Sequence, residues 1–164
     1  MPSLQDITTV VLIGAGATAV MDGWLLLLKA AGIPTGSFAL IGRWVGHLAR
    51  GCLTHAAIAK SAPVSGELVL GWLTHYAVGV GYAGLLVVML GMGWTRQPSV
   101  LPALAFGIAT VLVPWFVMQP AMGAGIASSR TATPVANGLR SLANHAVFGA
   151  GLFFTALVVA PIWR

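Results

Sequence analysis

The stretch Gly66–Gly93, GELVLGWLTHYAVGVGYAGLLVVMLGMG, decides how the chain is read. At about 1.5 Å of rise per residue, a helix of this length crosses a hydrocarbon core of about 30 Å. After Glu67, His75 is its one side chain that takes a full charge near neutral pH. An ionisable group at membrane depth is expensive to keep and normally faces a partner or a polar cavity. His75 is therefore a site candidate, and the rest of the chain is read by asking which polar residues can meet it.

Composition agrees with a membrane setting. Of 164 residues, 58% are hydrophobic and 7% charged, against about 25% charged in an ordinary soluble domain. That little charge cannot cover a water-facing surface, so the expected class is an all-α integral membrane protein with one domain over residues 1–164. The net charge of +5 is clustered, which reads as an orientation signal and contact with membrane lipids; no nucleic-acid partner is expected. Cys52 is the single cysteine, so intrachain disulfides and thiol-rich metal motifs are excluded, and it reads as a small apolar filler. Asp6 stands where a signal peptide carries positive charge, which predicts a retained first span.

Four transmembrane helices are expected, over about 7–31, 66–93, 100–120 and 139–163. Gly14-Ala-Gly16-Ala lies inside the first with no strand before it, so it reads as close helix packing, not as a dinucleotide loop. Between the first two spans, Arg43, His47, Arg50 and Thr54 fall on one stripe, with Ile41, Trp44, Val45, Leu48 and Cys52 opposite. That pattern predicts an amphipathic interfacial or re-entrant helix over about 38–60, with His55 on its apolar side. Pro114 should kink the third span. The Gly-, Ala-, Ser- and Thr-rich segment 121–138 is expected to be a connecting loop. Six basic residues (Lys29, Arg43, Arg50, Lys60, Arg130, Arg140) adjoin the loops on one side, against Arg96 and Arg164 on the other. The bias puts those loops in the cytoplasm and both termini in the periplasm.

Depth links the polar residues. Asp22, His75 and His145 each lie about six to nine residues from the cytoplasmic end of their spans, roughly 9–14 Å deep. Gln119 ends the third span on that side, and Asn144 adjoins His145. The spans thus bring hydrogen-bonding side chains to one layer, where an Asp22–His75 or Asp22–His145 pair would ease the burial of both.

The phrases GRWVGHLARGCLTHAAI (42–58), ELVLGWLTHYAVGVGYA (67–83), QPAMGAGIASSRT (119–131) and SLANHAVFGAGL (141–152) resemble a bacterial membrane family, domain-of-unknown-function family 2938. The resemblance covers the chain from about Gly14 to Phe154 and implies a bacterial inner-membrane protein. It implies no catalytic residue.

Three functions compete. The leading one is a protein that binds or moves a proton, a metal ion or a small polar solute at Asp22, His75 and His145, with His55, Gln119, Asn144, Arg43, His47 and Arg50 as further contacts. Four spans are few for a transport path, so this reading expects a homo-oligomer, for which Gly14, Ala17, Gly79, Ala83 and Gly149 offer small-residue surfaces. The second is a redox protein holding haem between His75 and His145, or a transition metal on His75, His145 and Asp22 with His55. The third is a membrane enzyme acting on a lipid or quinone, with Arg43 and Arg50 holding the headgroup. No GxSxG or HExxH phrase accompanies it.

Overall fold

A computed structural model describes residues 2–163, and among these the chain is helical with no strand. Arg164 of the basic-residue count lies outside the described residues. Helices α1 (Leu4–Ala30), α2 (Phe38–Leu48), α3 (Glu67–Leu90), α4 (Gly93–Arg96), α5 (Val100–Ala109), α6 (Gln119–Ala121) and α7 (Pro134–Val159) follow in order. A π-helical turn at Pro114–Met118 joins α5 to α6. Four segments are long and apolar enough to cross a membrane: Leu4–Ala30, Glu67–Leu90, Val100–Ala121 and Pro134–Ile162. Large apolar side chains stand open along them, among them Val88 at 82% and Val158 at 72% exposure, as lipid-facing surfaces require.

Local chemistry sets the helix ends. Ser3 and Asp6 form a reciprocal capping box at the start of α1, satisfying two otherwise orphaned amides. At its end Gly32 takes φ +75, and the Ile33 and Gly32 amides bond back to the Leu28 and Lys29 carbonyls, a Schellman stop that only glycine enters without strain. The last span begins at Pro134, several residues before the expected start. Thr133 precedes it, and the Thr133 carbonyl accepts from the Asn137 amide. Proline at the first helical position costs no backbone bond, because that amide has no intrahelical partner in any case. Pro114 interrupts the third span as anticipated, and the ladder is rescued by the wider π turn.

The segment expected as one helix over 38–60 is helical only over α2, followed by irregular chain and a 3-10 turn at Ile58–Lys60. Eleven residues rise only about 16 Å, so α2 cannot cross a hydrocarbon core. Gly51 ends the helix at φ +79.

The chain forms two compact units. One takes residues up to Pro34, Tyr76–Thr110 and those from Ala143 onward; the other takes Thr35–His75 and Val111–Leu142. In the first, Ile13, Ala17, Leu86, Ala103, Phe148 and Leu152 form part of a buried core. Gly14, Ala17, Gly79, Ala83 and Gly149, the small residues suggested for self-association, are buried within this unit. A methyl group on Gly149 would lie 2.8 Å from the Ala103 carbonyl, and one on Gly14 2.9 Å from the Gly79 carbonyl. In the second unit α2 crosses the start of α3 backbone to backbone. A methyl on Gly42 would overlap the Glu67 carbonyl, and one on Gly71 the Phe38 carbonyl.

Candidate functional site

The first unit carries a layer of polar side chains inside its spans. Tyr76 Oη–H donates to Asp22 Oδ2 at 2.8 Å, and Trp24 Nε1–H donates to Asn144 Oδ1 at 3.0 Å. Asp22 lies eight residues before the end of α1 and Tyr76 nine after the start of α3, so both are about 12–14 Å from their helix ends. The carboxylate is held by a phenol, a partner that itself donates and accepts protons.

His145 lies in the same unit. Its Nδ1 lies 2.7 Å from Thr110 Oγ1, which donates its hydrogen to the Gly107 carbonyl at 2.6 Å. The hydroxyl has no second hydrogen, so toward His145 it accepts. The neutral ring therefore carries its proton on Nδ1 and its lone pair on Nε2. Thr110 occupies the turn between α5 and the π-helical segment, where the broken ladder frees backbone and side-chain groups to serve a neighbour.

His75 lies in the second unit, with its ring 4.6 Å from Phe38 and 5.9 Å from Trp72. Gln119 accepts a hydrogen bond from Ser128 at 3.1 Å, and Arg50 is exposed. The Asp22, His75 and His145 set suggested for a metal thus draws on both units. Arg43 is engaged inside the second unit. Its Nε and Nη2 bind both Glu67 oxygens at 2.8 Å, while Nη1 reaches the Ala59 and Ser61 carbonyls at 3.3 and 3.1 Å. Glu67 also accepts from the Val64 amide at 3.0 Å, so one ion pair ties α2, the 58–64 loop and the head of α3. Hydrogen bonding to Glu67, opposed by partial burial, holds the Arg43 guanidinium above its ordinary pKa, so the cation persists through all working pH.

Beside this ion pair stands a cluster the amphipathic-helix reading pulls apart. The ligating atoms of His47, Cys52 and His55 lie within 4.8 Å of one another. His55 Nε2 is 3.9 Å from Cys52 Sγ, and the two imidazoles meet edge to face at 4.9 Å between centroids. Gly51 explains the meeting: its left-handed turn closes two backbone bonds, Gly51 N–H to the Leu48 carbonyl and Cys52 N–H to the His47 carbonyl. The chain is folded back so that Cys52 returns beside the residue it left five positions earlier. His55 is fixed from the other side by its amide, bonded to the Ala121 carbonyl at 2.8 Å. Tyr76, Thr110 and Cys52 are the residues that sequence reasoning missed. The Gly51-Cys52 step was the signal for the cluster.

These features define an all-helical protein with four segments long and apolar enough to cross a membrane, carrying hydrogen-bonded polar side chains within them. Residues 11–159 match the family described as protein of unknown function (DUF2938), and the chain belongs to that family. No curated protein and no solved structure matches it.

Proposed function

We propose that this is a bacterial inner-membrane protein that moves protons through the layer of Asp22, Tyr76, Thr110 and His145. The carrying observation is the Asp22 carboxylate, held by the Tyr76 hydroxyl at 2.8 Å well inside a span. Intramembrane carboxylates paired to hydroxyl or imidazole groups are the usual materials of proton relays. Imidazole adds a group that can accept a proton at one nitrogen and release one from the other. The excess of basic residues beside the loops after α1 and α6 supports a cytoplasmic position for those loops. A full path through four spans requires assembly with further copies.

The test is proton flux into liposomes carrying an internal pH dye, driven by a potassium diffusion potential. Wild-type protein is expected to acidify the lumen faster than protein-free liposomes, and Asp22→Asn to fall to the protein-free rate. Asn keeps the shape and the oxygen that accepts from Tyr76, but cannot exchange the proton. Equal flux in wild type and Asp22→Asn, or none in wild type, overturns the reading.

A further inference from the structure

We propose that His47, Cys52 and His55 form a zinc-binding centre with an open coordination position, independent of the Asp22 layer. The three ligating atoms already converge. For a tetrahedral ion with ordinary Zn–S and Zn–N bonds, sulfur and nitrogen ligands stand about 3.5 Å apart. The 3.9 Å between Cys52 Sγ and His55 Nε2 is within a few tenths of that.

The outer nitrogens carry the argument further. A histidine that ligates through one nitrogen normally gives the other N–H to a carbonyl or hydroxyl, which fixes the tautomer and the ring plane. His47 faces a carbonyl that only accepts, and His55 faces a hydroxyl that can accept. His47 Nε2 lies 2.9 Å from the Ala62 carbonyl, which can only accept, so the neutral ring keeps its lone pair on Nδ1. His55 Nδ1 lies 3.0 Å from Ser61 Oγ, and Ser61 Oγ is 3.5 Å from the Ala57 carbonyl. With Nδ1–H donating to Ser61 and Ser61 passing its hydrogen to Ala57, the lone pair of His55 Nε2 faces the Cys52 sulfur. The segment that carries these two accepting groups is tied to Arg43, whose guanidinium binds the Ala59 and Ser61 carbonyls.

Donor chemistry selects the ion. One thiolate and two imidazoles suit zinc and repel the hard cations magnesium and calcium, which take oxygen ligands. Three protein ligands leave a fourth position for water or an incoming ligand, the pattern of reactive and exchangeable sites, where structural zinc sites are closed by four. The histidines are half-buried and Cys52 is exposed, so the open side is reachable.

The test uses full-length, tag-free, chelator-stripped protein in detergent. Titration with zinc chloride followed by gel filtration and metal analysis is expected to give a single zinc ion per chain. Substituting cobalt is expected to give a thiolate-to-metal charge-transfer band. Cys52→Ser should remove that band, and the combined His47→Ala, Cys52→Ser, His55→Ala variant should retain no zinc. Ser61→Ala leaves every ligand in place and should weaken zinc about 10–100-fold. His75→Ala with His145→Ala should bind zinc like wild type. Should the triple variant fail to fold, Cys52→Ser and Ser61→Ala decide the matter. No zinc on wild type, an unchanged cobalt spectrum in Cys52→Ser, wild-type affinity in Ser61→Ala, or zinc lost from the His75, His145 variant would each overturn the proposal.

Discussion

Thr110 has one hydroxyl hydrogen, and the Gly107 carbonyl takes it. That sets the tautomer of His145. Replacing Thr110 by Val keeps the volume but removes the hydroxyl that faces His145 Nδ1, and a lost hydrogen bond costs about 0.5–1.5 kcal/mol. Thermal unfolding in detergent should show the loss, and Thr110→Ser should restore most of it. At Asp22 the reading is functional: Tyr76→Phe should slow proton flux in liposomes while leaving the fold intact, since only a hydroxyl is removed. How far such residues were legible depended on what fixes them. Depth along a helix is readable from sequence, which singled out Asp22 and His145, although the start of α7 at Pro134 puts His145 deeper than the expected start at 139 implied. A tautomer or a cross-helix hydroxyl depends on helix rotation, which hydropathy does not encode, so Thr110 and Tyr76 were not found.

The elements turn on two glycine devices. Gly42 and Gly71 let α2 and α3 touch backbone to backbone, and Gly42→Ala forces them apart. Overpacking of this kind costs about 1–3 kcal/mol, seen as a lowered unfolding temperature. Gly51 acts differently. Its φ of +79 is open to glycine, whereas an L-residue there pays about 1–2 kcal/mol. Gly51→Ala should therefore lower zinc affinity although no ligand changes, because the turn returning Cys52 to His47 is strained. Zinc retention should also fall on acidification, as protons compete for imidazole and thiolate. The amphipathic stripe over 38–60 was misleading here. Its period is real through Leu48, but Gly51 ends the helix, and a periodic pattern cannot show that the chain reverses. The early start of α7 at Pro134 was legible in Thr133-Pro134, a start signal that the apolar periodicity downstream masked.

At the scale of the whole molecule, the sequence was most informative: the four spans follow from length and apolar content, because lipid demands both. What the molecule does rests on a few polar groups in an apolar setting. The chain has just three side-chain carboxylates, Asp6, Asp22 and Glu67; Asp6 caps the start of α1 and Glu67 is bonded to Arg43. Asp22 alone lies deep within a span, so its protonation can be followed without ambiguity. Infrared difference spectroscopy of the membrane-reconstituted protein across a pH titration measures that event directly. A carboxylic C=O band should rise on acidification and be missing from the Asp22→Asn spectrum. Identical difference spectra from wild type and Asp22→Asn would show that Asp22 exchanges no proton, and would contradict the proposed proton movement.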